Sequence, residues 1–199
     1  MSKALIVVDV QNDFCPGGLL AVEDGDAVVA PINAMMSGFD AIVLTQDWHP
    51  PDHLSFASNH KADPFSTTQM PYGTQVLWPD HCIQGSNGAA FHPDLDTTRA
   101  DMIIRKGYNP QIDSYSAFFE NDQTTKTGLS GYLRDRDITD LHFVGLALDF
   151  CVGWSALDAI KEGFKATLHK NASRAIDLDG SLQAALSQMQ DAGVTLSDA

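Results

Sequence analysis

Leu141-His142-Phe143-Val144 runs through Gly145-Leu146-Ala147-Leu148-Asp149-Phe150 into Cys151-Val152, and this stretch decides the fold. Its apolar start lacks the apolar/polar alternation of a half-exposed strand, so it reads as a strand covered on both faces, as in a parallel sheet. The residues that follow, Val152 to Glu162, carry Leu157 and Ile160, with Phe164 beyond them, at helical spacing. A strand that passes directly into a helix is the repeating step of an α/β fold.

The same pattern extends in both directions. Ala4-Leu5-Ile6-Val7-Val8, Ala41-Ile42-Val43-Leu44 and Met102-Ile103-Ile104 precede it; Phe164-Lys165-Ala166-Thr167-Leu168 and Val194-Thr195-Leu196 follow, which makes six expected strands. Between them, Asp26 to Met36 forms a helical stripe whose Pro31 sets the helix start nearby, and Leu182, Ala185, Leu186 and Met189 form another. At 199 residues and 44% hydrophobic content the chain suits one buried core. The expectation is therefore one three-layer, Rossmann-like α/β domain over residues 1–199, with a six-stranded, mostly parallel sheet and helices on both faces.

Gln46 to Ala100 is the exception, rich in Pro, His, Asn, Gly and Asp and poor in apolar periodicity. Connections of that length are usually either functional or disordered, and the histidines here favour function. It holds His49, His53, His60, His81 and His92, five of the seven histidines, and is expected to be an active-site loop region.

Composition removes several function classes. Twelve Lys and Arg against 26 Asp and Glu give a formal charge of -14, which repels nucleic acid and anionic membranes. No apolar run nears the roughly 20 residues of a membrane span, and the Met1-Ser2-Lys3 start lacks the features of a secretory signal. Three widely spaced cysteines, Cys15, Cys82 and Cys151, argue against a disulfide framework and for a reducing cytoplasm.

In an open parallel sheet the carboxyl ends of the strands share one edge, where ligands bind. The first run ends at Asp9, the second at Asp47, the third at Lys106, and the fourth leads to Cys151, so two acids, a lysine and a thiol are expected to meet there. A helix after Cys151 and a nearby lysine would both lower its thiol pKa. Cys15 and Cys82 lack that setting and read as structural, as does His142 within its apolar run, while His60 and His92 read as solvent-facing.

Asp47-Trp48-His49 puts a carboxylate and an imidazole on one face of an extended segment, with His81 as a third candidate ligand. Three mixed O/N ligands describe an open catalytic site for zinc or another first-row ion, since closed structural sites use four ligands. His53 is either a fourth ligand or a neighbour that supports the others.

Asp9-Val10-Gln11-Asn12-Asp13-Phe14, Asp47-Trp48-His49-Pro50, Trp78-Pro79-Asp80-His81-Cys82, Lys106-Gly107 and Gly145-Leu146-Ala147-Leu148-Asp149-Phe150-Cys151-Val152 occur in this order. Together they resemble the nicotinamidase/pyrazinamidase branch of the isochorismatase-like cysteine hydrolases, over nearly the whole chain. The resemblance implies a catalytic triad of Asp9, Lys106 and Cys151, and one divalent ion, zinc first with iron and manganese as alternatives, on Asp47, His49 and His81. It further implies a cis peptide at Leu146-Ala147 and an oxyanion hole from the backbone N–H groups of Ala147 and Cys151. Phe14, Trp78, Tyr115 and Leu146 are then expected at the substrate. Leu148 stands where threonine is common in the family and Asn171 where aspartate is frequent, departures that touch neither the triad nor the metal positions.

The expected reaction is hydrolysis of nicotinamide, and of pyrazinamide, to the acid and ammonia through a cysteine thioester, within NAD salvage. Two rival readings are a cysteine hydrolase of another small amide or carbamoyl compound, and a non-catalytic metal-binding domain. Small-molecule substrate is the expected partner; homo-oligomerisation stays open.

Overall fold

The computed structural model describes residues 2–198. Met1, part of the N-terminal stretch read above, and Ala199, the end of the expected domain, lie outside the described residues.

The chain forms β1 (Ser2–Val8), α1 (Val29–Met35), β2 (Ala41–Asp47), α2 (Ala57–His60), β3 (Thr67–Met70), β4 (Gly73–Val76), β5 (Met102–Lys106), α3 (Leu129–Arg134), β6 (Ile138–Leu146), α4 (Gly153–Lys161), β7 (Lys165–Arg174), α5 (Ser181–Asp191) and β8 (Thr195–Ser197). The six expected strands form one sheet in the order β5-β2-β1-β6-β7-β8. Every adjacent pair in it is parallel.

Burial on both faces explains the unalternating runs. On β1, Ala4, Ile6 and Val8 pack with residues of α3, α4 and α5, whereas Leu5 and Val7 pack with Val29 and Ile32 of α1. Each face of the strand meets a helical layer, so every position is apolar. Pro31 falls inside the first turn of α1, where its missing N–H costs no hydrogen bond.

The 46–100 segment is more ordered than its composition suggests. Its first two residues complete β2, and beyond them it contains α2 and an antiparallel β3–β4 hairpin turned through Pro71 and Tyr72. Among the described residues, no helix is long and apolar enough to cross a membrane.

Candidate active site

Strand order places the chemistry. Asp47 and Lys106 are register partners at the ends of β2 and β5. Asp9 directly follows β1, and Cys151 lies in a π-helical turn, Leu148–Val152, between β6 and α4. Two backbone features make the approach tight. Asp9 adopts a left-handed φ of 49°, and a Cβ on Gly145, at φ 114°, would lie 2.1 Å from the Val8 carbonyl oxygen. Only glycine lets β6 close onto β1 there. The Leu146–Ala147 peptide is cis.

Lys106 is buried at the centre. Its Nζ lies 2.7 Å from Asp9 Oδ2, 3.4 Å from Cys151 Sγ and 2.9 Å from the Ser114 carbonyl, and it donates a very short hydrogen bond to Asp47. Asp9, Asp47 and Cys151 bring one ligand atom each within 4.8 Å of one another. The structure thus brings together all four polar groups expected at the sheet edge.

Burial governs their proton affinities. It pushes the Cys151 thiol well above its ordinary range, the Lys106 charge opposes the rise, and Asp9 and Asp47 add to it. The expected lowering of this pKa is therefore not met: the resting group is the thiol, and it needs a base. Burial likewise raises Asp9, against the pull of Lys106. Asp47 differs, since Lys106 and His49 overcome its burial and hold it well below the usual carboxylate range. Burial alone would lower Lys106, but Asp47 and Asp9 hold it well above its ordinary value and keep it an ammonium.

Asp47, His49 and His81 converge beside this group, all buried, with ligand atoms mutually within 4.8 Å. His49 Nδ1 lies 2.8 Å from the Gly107 carbonyl and His81 Nδ1 lies 2.8 Å from the Pro79 carbonyl. Each Nδ1–H is therefore donated to backbone, which leaves Nε2 with its lone pair turned to Asp47 Oδ2, at 3.5 and 3.8 Å. Outer hydrogen bonds of this kind orient histidine ligands. Two buried carboxylates, Asp9 and Asp47, also face a single lysine, and a divalent cation would offset the remaining negative charge. The donor set fits a metal ion.

His53 is placed differently. It is buried, its Nδ1 lies 2.7 Å from Ser55 Oγ and 3.1 Å from the Ser55 backbone nitrogen, and its Nε2 has no hydrogen-bond partner; with His49 and Asp113 it forms a second group of ligand atoms mutually within 4.8 Å. Burial and His49 lower its pKa to about 4.

Phe14, Trp78, Tyr115, Ala147 and Cys151 line a cavity that also reaches Asp47 and His81. Trp78 donates its indole N–H to the Tyr115 hydroxyl at 3.2 Å, and its ring packs edge-on against Phe150 at 5.0 Å. Leu146 corrects the expectation: it is fully buried, is absent from the cavity wall and packs with Val144 in the core beside α1. As the last strand residue, two positions after Val144, it follows the pleat inward. The cavity also has walls the sequence reading missed: Leu20, Asp113 and Ile176, from loops without periodicity, and Phe150, from the π-helical turn that carries Cys151.

Away from the site, Cys15 and Cys82 are buried free thiols, and His142 is partly buried against His169. His60 and His92, expected to face solvent, are half-buried, with His60 Nε2 2.8 Å from the Leu54 carbonyl.

The six-stranded parallel α/β sheet carries a buried Cys-Lys-Asp group at its carboxyl edge, and residues 3–199 match the isochorismatase domain family. The chain belongs to that family. It is 55% identical to a nicotinamidase of Acinetobacter baylyi over 192 residues, covering 96% of this chain and 90% of the relative. Among solved structures, it superposes on an Acinetobacter baumanii nicotinamidase and pyrazinamidase with a TM-score of 0.97 at 55% identity, covering 98% and 95% of the two chains. A Pyrococcus horikoshii pyrazinamidase in complex with zinc aligns with a TM-score of 0.80 at 33% identity, covering 99% of each chain.

Proposed function

We propose that the chain is a nicotinamidase in which Asp9, Lys106 and Cys151 hydrolyse nicotinamide to nicotinate and ammonia. The observation that carries this is the single ammonium of Lys106, within 2.7 Å of Asp9 and 3.4 Å of Cys151 Sγ, at the base of an aromatic-walled cavity. One hydrolase domain carries the reaction, and the 46–100 segment supplies cavity walls and ligands.

The Cys151 thiol is too weakly acidic to ionise unaided at neutral pH, so Asp9 takes its proton as sulfur attacks the amide carbonyl. Lys106 stabilises the thiolate as it forms. Backbone N–H groups of Ala147 and Cys151 hold the oxyanion, an interaction whose loss costs about 3 kcal/mol of barrier. Asp9 returns the proton to departing ammonia, then activates the water that cleaves the thioester. Phe14, Trp78 and Tyr115 enclose the ring. Asp47, His49 and His81 would hold one divalent ion, zinc first with iron or manganese suited to the same donors, and when bound it supplies a Lewis acid for the pyridine nitrogen. His53, whose buried Nε2 has no hydrogen-bond partner, is either a fourth ligand or a neighbour that supports the other three. Pyrazinamide presents the same amide and a ring nitrogen, and is a second substrate. Three free thiols support a cytoplasmic setting for this NAD-salvage step.

The test is ammonia release from nicotinamide, pyrazinamide and aliphatic amides by wild type and Cys151→Ala, with and without chelator. Wild type is expected to prefer the two ring amides, and Cys151→Ala to be inactive yet folded. Turnover by Cys151→Ala would refute the nucleophile, and preference for an aliphatic or carbamoyl substrate would favour the other hydrolase reading.

A further inference from the structure

The two oxygens of Asp9 have different neighbours. Oδ2 lies 2.7 Å from Lys106 Nζ, the ammonium that also contacts Cys151 Sγ at 3.4 Å. Oδ1 instead accepts the hydroxyl of Thr45 at 2.5 Å. Thr45 is fully buried on β2, and its oxygen also accepts the backbone N–H of Asp9 at 3.1 Å. A hydroxyl has one proton. With its oxygen already receiving the amide, that proton is directed at Oδ1. A proton arriving on Oδ1 would make that oxygen a poorer acceptor for the Thr45 hydroxyl, whereas Oδ2, although close to Lys106, has no hydrogen-bond partner and keeps its accepting capacity free.

We propose that Thr45 is a positioning residue that reserves Oδ2 of Asp9 for the proton in transit. The inference rests on the amidase reading and adds a route to it. The Cys151 S–H bond breaks, its proton goes to Oδ2, and the sulfur lone pair forms the C–S bond while the carbonyl π pair moves to oxygen. On collapse, that pair re-forms the carbonyl, the C–N bond breaks, and nitrogen takes the Oδ2 proton and leaves as ammonia. Had the proton settled on Oδ1, the oxygen bonded to Thr45, it would not be held for the leaving nitrogen. Removing the hydroxyl opens both oxygens to protonation, so the thiol still loses its proton but delivery becomes inefficient.

Thr45→Val removes the hydroxyl at constant shape, and Thr45→Ser keeps it. Two rates are read on full-length protein: ammonia release from nicotinamide, and alkylation of Cys151 by iodoacetamide, with the modified cysteine identified by mass spectrometry. Thr45→Val is expected to lose about 30-fold in kcat, less than the roughly 100-fold or more that a complete general acid-base contribution supplies because Asp9 itself remains, with KM and alkylation each changed by less than about threefold. Thr45→Ser should return kcat to within about threefold of wild type. Thr45→Ala, which also lacks the hydroxyl, gives the same reading should the valine variant fail to fold.

Unimpaired turnover without the hydroxyl overturns the proposal. So does a parallel loss of turnover and alkylation, the mark of a merely structural role, or a serine variant as slow as valine. Wild-type turnover separates the two readings: its absence overturns the amidase assignment, whereas normal wild-type turnover with a fully active Thr45→Val overturns only the role of Thr45.

Discussion

Two groups of histidine rings lie close together in this molecule, and only one has the makings of a metal centre. His49 and His81 sit with ring centroids 4.9 Å apart; His142 and His169 sit at 5.1 Å. Distance does not separate them; the use of the ring nitrogens does. In the first group each Nδ1–H is donated to a backbone carbonyl, so Nε2 keeps a lone pair beside Asp47. In the second, His142 Nδ1 and His169 Nε2 lie 2.8 Å apart, so one donates and the other accepts. The lone pair a metal would need is engaged by a neighbouring ring. Proximity of imidazoles makes a cluster, but carbonyl partners on the far nitrogen make a ligand set.

The largest expected effect breaks that contrast directly. His49→Ala should lose bound metal, measured by elemental analysis, and lower kcat/KM for nicotinamide by at least about 100-fold. His142→Leu should keep both within about twofold, since its ring takes no part in the cavity. Equal metal loss in the two variants would erase the distinction. Gly107→Ala sharpens it through the supporting carbonyl. A Cβ there would lie 2.3 Å from His49 Cε1 at a φ of 66°, so the ring must move. A metal affinity about 10- to 100-fold weaker is expected, measured by competition with a chromophoric chelator, with His49 itself intact.

These contrasts also mark what the sequence could convey. All six sheet strands were legible, because burial on both faces strips alternation from Ala4–Val8 and its counterparts, and that signal is local. The polar residues ending those runs, Asp9, Asp47 and Lys106, were legible for the same reason, since strand ends share an edge. Helix α3 was not, because six residues with Gly131 inside give too little periodicity to register. The β3–β4 hairpin pairs Thr67 with Val76, Thr68 with Gln75 and Gln69 with Thr74, so it lacks an apolar face to mark it. Leu146 was misread although its signal was present: Val144 and Leu146 are two apart on one strand and share one core. Thr45 was invisible, as its role depends on which oxygen of a distant carboxylate it meets.

The smallest predicted effects concern the second histidine pair and are confined to stability. Removing the His142–His169 hydrogen bond with His142→Leu should cost about 1 kcal/mol in denaturant unfolding. Its pH dependence has a definite sign. Burial lowers the His142 pKa below the ordinary 6.5; Asp140 opposes this, while His169 and Lys3 add to it. Below 6.5 the unfolded chain therefore binds more protons at this position than the folded one, and stability rises with pH across the interval. The neutral ring's contribution is complete above 6.5 and is lost as pH falls through the depressed folded value. Wild-type Tm should thus decline between neutral pH and about pH 5 more steeply than that of His142→Leu. Because the ring is only half-buried, solvent screening keeps the difference small. Parallel Tm curves for the two proteins would mean that the pair does not discriminate between protonation states, and that its hydrogen bond contributes equally at both ends of the range.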